Sequence, residues 1–525
     1  MFAGRTVLRA LPLVAAMLAL GVVAKADSLV VKTSDGKVHG KLLSNGVVRA
    51  FQGIPYAAPP VGDLRWKAPQ PAKPWKAELD ATKYGHHCAQ NHVFDDMIFQ
   101  DSATPEDKGS EDCLTLNVYT PEKTKGKLPV MFWIHGGGYS GGGSSEPRHN
   151  GDFMPTKGVV LVTINYRLGV FGFLALPELA TEQGGSSGNY GMMDMVAALQ
   201  WVKKNIAEFG GDPSNVTIFG ESAGSFAVST LMAAPSAQGL FTKAIGESGG
   251  ALTTGALEME TLAVRGPKED EWMKTTGASS LADLRSLSTD KILEFAGKKG
   301  TIGFSPVLDG KFLSEPVVKI YDEGRQAKVP LLAGFNRDEG FFLSNGMTVD
   351  KWKTMGAARF PQNVELFFKL YPGTTDTEAI RSATDFGGDS FIAYGTWKWI
   401  EVDRKTGNKD VYRYKLDLAA PPSKFHPGSY AFHSDDIEYI FGTLDTRPGA
   451  TWRPEDRVLS DQMMSYWTNF AKKGDPNGVD AKGQPLPNWP KYGEGDPVLH
   501  LDNPITSRPD ENRARYEFWM NNEKK

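Results

Sequence analysis

The chain has 525 residues, of which 40% are hydrophobic and 23% are charged, and its formal net charge is −4. This is the composition of an ordinary globular protein with enough length to bury a large core. Because the chain is mildly acidic and carries no basic stripe, we expect no nucleic-acid partner.

The N-terminus has the pattern of an export signal. Arg5 and Arg9 precede an apolar stretch that is too short to span a bilayer, and an A-x-A cleavage pattern ends at Ala26. We therefore expect residues 1–26 to be a signal peptide, and residues 27–525 to form one domain that is secreted or periplasmic. No later apolar run has the length of a membrane span, so we expect no stable membrane anchor.

The two cysteines, Cys88 and Cys113, form an isolated pair. In an exported protein such a pair most simply forms a disulfide, which would stabilise the fold by roughly 3–4 kcal/mol on a chain-entropy argument. His86 and His87, beside Cys88, offer a metal site as the alternative. Two adjacent histidines do not easily bind one ion, so we expect no metal.

Alternating strand and helix patterns predict an α/β fold. Two continuous apolar runs, Pro129 to Ile134 and Val159 to Asn165, are typical of central strands covered on both faces. Apolar residues at spacings of three and four predict a helix from Asn189 to Phe209. These patterns indicate a mostly parallel sheet with helices on both faces. The other predicted elements are strands at Leu29 to Val38, Val47 to Gly53, Val329 to Gly334 and Val411 to Leu416, a helix at Leu459 to Lys472, and capping helices within 251–325 and 345–408.

One stretch near the middle of the chain predicts a nucleophile. A β-branched run, Val216 to Phe219, leads into Gly220-Glu221-Ser222-Ala223-Gly224, and a helical pattern follows. Strand, tight turn and helix are the context that a G-x-S-x-G elbow requires, so Ser222 is the predicted nucleophile. Gly246 to Gly250 also matches G-x-S-x-G, but a poor helix start follows it. We interpret Ser248 as a packed or hydrogen-bonded turn serine.

A serine nucleophile needs a histidine base and an acid that orients the histidine. On a sheet of this kind the chain order is serine, acid, histidine, which leaves His426, His433 and His500. His433 is favoured because it lies in a polar loop before an apolar run, whereas His500 lies within a strand-like run. The loop after a later predicted strand offers Asp338 and Glu339, and residue types alone do not choose between them.

A Gly-rich loop after an early strand predicts an oxyanion hole. His135-Gly136-Gly137-Gly138-Tyr139 follows the first apolar run, and glycine lets backbone N–H groups approach a substrate oxygen closely. The N–H of Ala223, directly after the nucleophile, is the second source of donors. Residues 136–141 also match the dinucleotide pattern G-x-G-x-x-G, but no helix opens there, so we expect no cofactor.

With these residues in place, the chain resembles the type-B carboxylesterase family of α/β hydrolases, in its bacterial type. The resemblance implies an α/β-hydrolase fold with helical cap insertions. It also implies a serine carboxylesterase that hydrolyses carboxylic esters through an acyl-enzyme intermediate. The matching stretches are Phe51 to Ala57, Ser110 to Leu114, His135 to Gly138, Asn165 to Gly169, Gly188 to Gly191, Phe219 to Gly224 and Trp489-Pro490.

The resemblance implies a role for each site residue. The acid is the glutamate of a D-E-G triplet, here Glu339, and the histidine that precedes acidic residues and a Phe-Gly pair is His433. The oxyanion hole corresponds to the N–H groups of Gly137, Gly138 and Ala223. The two cysteines match the first disulfide loop of the family.

The resemblance also bears on the substrate, a small-molecule ester. Cholinesterases carry a tryptophan in the first disulfide loop, whereas residues 89–112 contain none, which argues against a choline ester. Glu221 matches a gorge-lining position. We expect small to medium or aromatic esters, with a lipase-like hydrolase of longer acyl esters, or a non-catalytic adhesion protein on the same fold, as alternatives. Monomer and dimer are both compatible with the sequence. The aromatic candidates for the gorge wall are Tyr139, Phe304, Phe94 and Phe99.

Overall fold

A computed structural model describes residues 29–91, 109–124, 126–252, 258–424, 426 and 428–523. The predicted signal peptide and the two aromatic candidates Phe94 and Phe99 lie outside these residues. Within the described ranges, no helix combines the length and the apolar composition needed to cross a membrane.

The strands form one large sheet and one small sheet. Their bounds are β1 Val30–Lys32, β2 Lys37–His39, β3 Lys41–Leu42, β4 Val48–Pro55, β5 Leu79–Asp80, β6 Thr115–Pro121, β7 Leu128–Ile134, β8 Val160–Ile164, β9 Gly211–Glu221, β10 Lys243–Glu247, β11 Leu331–Asn336, β12 Val411–Leu416, β13 Pro497–Leu501 and β14 Thr506–Pro509. The large sheet has eleven strands in the order β3-β4-β6-β8-β7-β9-β10-β11-β12-β13-β14, and β1, β2 and β5 form the small sheet.

The centre of the large sheet is parallel. The strands from β8 through β7 and β9 to β13 pair in parallel with their neighbours. Antiparallel pairs lie only toward the two ends of this sheet among the described strands. The predicted mostly parallel sheet is therefore confirmed. Because the carboxyl ends of β7, β9, β10 and β11 meet at one edge, the loops that follow them meet there too.

The helices lie on both faces of the sheet and in a cap. Their bounds are α1 Gly169–Phe173, α2 Pro177–Glu182, α3 Tyr190–Asn205, α4 Ala223–Ala233, α5 Leu262–Thr275, α6 Leu281–Ser286, α7 Thr289–Ala296, α8 Val317–Asp322, α9 Val349–Arg359, α10 Val364–Leu370, α11 Asp376–Gly388, α12 Tyr394–Lys405, α13 Asp436–Phe441, α14 Pro454–Lys473 and α15 Arg513–Asn521.

The packing of strand β7 explains why its residues are apolar at successive positions. Phe132 and Ile134 pack into the core on one face of the sheet, together with α3 and α4. Met131 and Trp133 pack into the core on the other face, together with α13 and α14. Since side chains alternate along a strand, a strand covered on both faces needs apolar residues throughout.

Helix α3 ends where the sequence predicts a stop. The predicted helix from Asn189 to Phe209 is an α-helix from Tyr190 to Asn205 that tightens into a 3₁₀ turn over Ile206–Phe209. Gly210 caps it with a left-handed φ of 87°, which glycine adopts without strain. The chain then enters β9, which leads to Ser222.

The capping helices predicted within 251–325 and 345–408 are confirmed as α5 to α8 and α9 to α12. Helices α9, α10 and α11 share a separate aromatic core with α15, built around Trp352, Phe367 and Phe518. Between α11 and α12 the chain makes a π-helical turn over Asp389–Ala393. Such turns are rare and often occur at functional sites.

Candidate active site

Ser222 lies at the junction of β9 and α4. Its backbone has a φ of 54° and a ψ of −122°, a strained conformation for a residue with a side chain. The N–H of Ser222 donates to the carbonyl of Glu247 on β10 at 2.8 Å, which holds the turn against the sheet. The first turn of α4 follows directly, so its free N–H groups and positive dipole end lie beside the hydroxyl.

The two glycines of this turn are required for space. A Cβ on Gly224 would lie 2.0 Å from the carbonyl oxygen of Ile134, and a Cβ on Gly220 would lie 2.5 Å from the same oxygen. Only glycine permits this approach between the turn and the end of β7. The approach brings the Gly-rich loop that follows β7 next to Ser222.

His433 joins the serine to an acid. The hydroxyl of Ser222 donates to Nε2 of His433 at 2.8 Å, and Nδ1 of His433 donates to Oε2 of Glu339 at 2.6 Å. Because a carboxylate only accepts, Nδ1 carries the proton and Nε2 is left to accept from the serine. The structure therefore brings together the three residues predicted for the triad.

Glu339 is held by two further donors. Its Oε1 accepts from the N–H of Asn336 at 2.8 Å and from the hydroxyl of Ser248 at 2.6 Å. Ser248 is thus a hydrogen-bonded turn serine, as predicted, but its partner is the acid of the candidate triad. Three donors on one buried carboxylate fix its orientation.

Asp338, the other acidic candidate, faces away from the histidine ring. Its carboxylate forms ion pairs with Arg337 at 2.9 Å and with Arg381 at 2.5 Å. It also accepts from the N–H of Ala431, two residues before His433, at 3.0 Å. Asp338 therefore anchors the histidine loop, and the choice left open between the two acids falls on Glu339.

The remaining histidine candidates lie in other surroundings. His426 packs against the ring of Phe432 with centroids 3.5 Å apart, and burial together with nearby Arg447 lowers its pKa to about 4. His500 is buried in β13, where its Nδ1 contacts the carboxylate of Asp417. Neither ring contacts Ser222.

The predicted oxyanion donors lie at the same cavity as the triad. Gly137 and Gly138 have left-handed φ values of 95° and 61°. Within the described part of the chain, no protein acceptor contacts the N–H groups of these two glycines. The N–H of Ala223 belongs to the first residue of α4 and has no acceptor within the helix. All three residues line the cavity around Ser222.

Glu221 gives the site its electrostatic character. Its Oε1 lies 3.4 Å from Nε2 of His433 and has no hydrogen-bond partner among the described residues. Burial raises the pKa of the Glu221 carboxyl to about 8, although His433 opposes this shift. Burial alone would lower the pKa of His433, but the carboxylates of Glu221 and Glu339 outweigh it and raise that pKa to about 9.

The cavity above Ser222 has a volume of about 730 Å³. Glu221 and Tyr139 line it, as predicted for substrate contacts. The prediction for Phe304 is wrong. Its ring is buried and packs edge-on against Trp272 with centroids 5.1 Å apart, and it does not belong to the cavity wall, although Gly303 and Ser305 beside it do.

Several wall residues escaped the sequence analysis, among them Phe391, Phe226 and Arg148. Phe391 projects from the π-helical turn and its ring lies 5.1 Å from the His433 ring. Phe226, on the first turns of α4, also lines the cavity, as does Arg148 from the short helix Pro147–His149. Phe226 carries a local signal, since it lies four residues after the nucleophile on the predicted helix. Phe391 and Arg148 reach the site only through tertiary packing.

The predicted disulfide is confirmed. Cys88 and Cys113 are bonded, and they are separated by 25 residues. Cys88 is therefore unavailable to the metal site that was considered with His86 and His87.

Comparisons with known proteins agree with this geometry. The model of the family described as "Carboxylesterase family" matches residues 27–519. A para-nitrobenzyl esterase of Bacillus subtilis (strain 168) is 38% identical over 502 residues, covering 92% of this chain and 96% of the relative. A fumonisin B1 esterase of Sphingopyxis macrogoltabida is 33% identical over 515 residues, covering 93% of this chain and 89% of the relative. A solved structure of a PNB esterase superposes with a TM-score of 0.78 at 33% identity, and the match covers 93% of this chain and 99% of the solved chain.

The fold is that of the α/β hydrolases, and the class of protein is a carboxylic ester hydrolase. The chain belongs to the carboxylesterase family. It is a serine carboxylesterase, which confirms the activity that the sequence resemblance implied.

Proposed function

We propose that this carboxylesterase hydrolyses small to medium or aromatic esters through an acyl-enzyme intermediate on Ser222. His433 takes the proton from the attacking hydroxyl and passes it to the leaving alcohol, while Glu339 orients the ring and stabilises the imidazolium. The N–H groups of the Gly-rich loop and of Ala223 bind the oxyanion. Water, deprotonated by His433, then hydrolyses the acyl-enzyme.

The observation that carries this proposal is the unbroken hydrogen-bond chain from serine to acid. The hydroxyl of Ser222 lies 2.8 Å from Nε2 of His433, and Nδ1 lies 2.6 Å from Glu339. Nucleophile, base and orienting acid within hydrogen-bond reach are the geometry that activates a serine. Each donor of an oxyanion hole contributes about 2.7–4 kcal/mol to the barrier reduction in comparable enzymes.

The cavity supports the proposed substrate class. A volume of about 730 Å³ is in the range that accepts small and drug-sized molecules. Aromatic side chains in its wall, Tyr139, Phe226 and Phe391, favour an aryl or compact apolar group on the ester. The name of the para-nitrobenzyl esterase, 38% identical, points to an aromatic ester in that relative.

We further propose that residues 1–26 are a cleaved signal peptide and that residues 27–525 form one exported domain. The support is the cationic and apolar pattern of the N-terminus, together with a disulfide that suits an oxidising compartment. The family match also begins at residue 27. N-terminal sequencing of the exported protein should give Asp27 as its first residue, and an intact Met1 would contradict export.

The proposed activity is tested with nitrophenyl esters from acetate to palmitate, using wild type and Ser222→Ala. We expect the highest kcat/KM on short acyl chains and loss of turnover in the variant. Ser460→Ala is the control, because Ser460 is buried and donates to the carbonyl of Tyr439 at 2.8 Å, away from the triad. A long-chain optimum that rises with micelles would favour the lipase-like alternative. A folded wild type that turns over none of the esters would contradict the proposal.

A further inference from the structure

Arg148 is a buried cation in the wall of the active-site cavity. Its side chain is only 4% exposed, yet it lines the same cavity as Ser222 and His433. The residue belongs to the short helix Pro147–His149, which follows the Gly-rich loop. Burying a guanidinium group costs free energy unless each of its N–H groups has an acceptor. An N–H of Arg148 without a protein acceptor therefore indicates a position for an acceptor on a bound molecule.

Two of its three nitrogens are occupied by the protein. Nε donates to Oε2 of Glu146 at 3.0 Å, and Nη1 donates to the hydroxyl of Ser434 at 3.2 Å. Among the described residues no acceptor contacts Nη2. A donor left open in a cavity wall, on a side chain that is otherwise buried, is satisfied by an acceptor on the bound molecule.

The ion pair with Glu146 is oriented toward the cavity. Glu146 is buried behind Arg148, does not belong to the cavity wall, and uses its other oxygen to accept from the N–H of Gly143 at 3.1 Å. The cavity therefore meets the positive end of this pair. The guanidinium of Arg148 binds an anionic acceptor more strongly than a neutral one.

Two further cations among the described residues line the cavity, and both are paired within the protein. Elsewhere in the cavity wall, Arg265 is paired with Glu260 at 2.7 Å and with the carbonyl of Gly303 at 2.6 Å, and Lys268 also pairs with Glu260. Glu258 belongs to that wall as well.

Glu221 lies on the same side of the cavity as Arg148. Burial raises the pKa of the Glu221 carboxyl to about 8, and its Oε1 faces Nε2 of His433 at 3.4 Å.

The position of Arg148 indicates which portion of a bound ester lies beside it. Its partner Ser434 directly follows His433, the residue that delivers a proton to the leaving alcohol. The alcohol portion of a bound ester therefore extends past this side of the site. We propose that Nη2 of Arg148 binds a carboxylate on the alcohol portion of the substrate. This inference depends on the proposed ester hydrolysis and specifies which esters are preferred.

The test compares matched charged and neutral esters. The probes are the ortho, meta and para isomers of carboxybenzyl acetate, each paired with the corresponding methylbenzyl acetate. Benzyl hemisuccinate, paired with benzyl pentanoate, carries the carboxylate on the acyl side instead. For the best isomer we expect wild type to show a kcat/KM about tenfold or more above that of its neutral partner, and no such preference for the hemisuccinate.

Variants assign the preference to Arg148. Arg148→Met should reduce the charged-to-neutral ratio to about one or below, whereas Arg148→Lys should retain part of it. Lys268→Met is the matched control, since it removes a different cation of the wall and should leave the ratio unchanged. Because Arg148→Met leaves Glu146 without its guanidinium partner, the double variant Glu146→Gln/Arg148→Met removes both charges, and it should also lose the preference.

The outcomes separate this inference from the proposed function. Turnover of the neutral esters with a wild-type ratio near one, a ratio unchanged in both Arg148→Met variants, or a preference for the hemisuccinate would overturn the inference alone. A preference lost in Lys268→Met and kept in Arg148→Met would also overturn it. Failure to hydrolyse either member of every pair would contradict both proposals.

Discussion

The hydroxyl of Ser248 donates a hydrogen bond of 2.6 Å to Oε1 of Glu339, so the second G-x-S-x-G turn of the chain supports the first. The sheet register explains how the turns meet. Glu221 of β9 pairs with Glu247 of β10, which puts Ser222 and Ser248 side by side at the same edge. Both serines have a positive φ, 54° and 55°. One turn presents the nucleophile, and its neighbour orients the acid.

Ser248→Ala should lower kcat about tenfold with little change in KM. The substitution removes one of three donors from Glu339, so the carboxylate turns more freely and orients His433 less well. It also leaves a buried oxygen short of a donor, which costs about 1–3 kcal/mol of unfolding free energy. Kinetics and urea unfolding measure both effects. Ser460→Ala, a buried serine away from the triad, should lose stability without losing kcat, and an equal loss of kcat in both variants would contradict a role for Ser248.

Glu221→Gln should shift the acid limb of the pH–rate profile to lower pH by about one pH unit. Catalysis needs neutral His433, whose pKa is raised to about 9 by Glu221 and Glu339 against the effect of burial. Without the Glu221 carboxylate the imidazolium of His433 is less stable, so neutral His433 persists to lower pH. The measurement is kcat/KM against pH on an ester without ionisable groups.

The control for this shift is Glu247→Gln. Burial and nearby Asp436 raise the pKa of Glu247 well above its usual range, and this carboxyl accepts from Nε1 of Trp467 at 2.7 Å rather than facing His433. A shift of the same size in both variants would show that Glu221 does not act on His433 through its charge.

Gly224→Ala should prevent a stable fold or lower the melting temperature steeply. The added Cβ would lie 2.0 Å from the carbonyl oxygen of Ile134, and both partners are backbone atoms that cannot move aside. The expected cost is about 3 kcal/mol or more. Gly493→Ala is the control, because nothing lies within 4 Å of its added Cβ and its stability should change by less than about 0.5 kcal/mol. A Gly224→Ala protein as stable as wild type would contradict the packing described for the elbow.

Phe391→Ala should reduce kcat/KM for benzyl esters about tenfold while affecting ethyl acetate much less. Its ring lines the cavity and lies 5.1 Å from the His433 ring, so an aryl group of the ester loses a contact surface. Phe304→Leu is the matched control. Phe304 is buried against Trp272 outside the cavity wall, so its replacement should lower stability and leave the ratio of the two esters unchanged. Equal effects on both esters in Phe391→Ala would contradict a binding role.

The catalytic centre could be predicted because its residues carry local signals. The strand, turn and helix around Ser222 lie within one short stretch, and the apolar run of β7 leads directly into the Gly-rich loop. Glu339 and His433 each lie in a polar loop between buried elements. Their identity as a pair needed the family resemblance, since Asp338 has the same local features and differs only in its contacts with Arg337 and Arg381.

The wall of the cavity could not be predicted in the same way. Phe304 and Phe391 both lie in helical insertions, and the sequence around them gives no period that separates a core ring from a cavity ring. Arg148 reaches the cavity because its short helix packs against α13, and the hydroxyl of Thr443, two residues past the end of α13, donates to the carbonyl of Arg148. Such contacts join residues far apart in the chain, so they depend on the assembled fold rather than on local pattern.

Covalent labelling with a fluorophosphonate tests the central claim most directly, because this probe reacts with an activated serine. Wild-type protein is labelled, digested and analysed by mass spectrometry, with His433→Ala as the unactivated reference. We expect one adduct on the peptide that contains Ser222, loss of ester turnover in step with labelling, and little adduct in the reference. An adduct on Ser248, or full ester turnover by a protein labelled at Ser222, would contradict the proposed nucleophile.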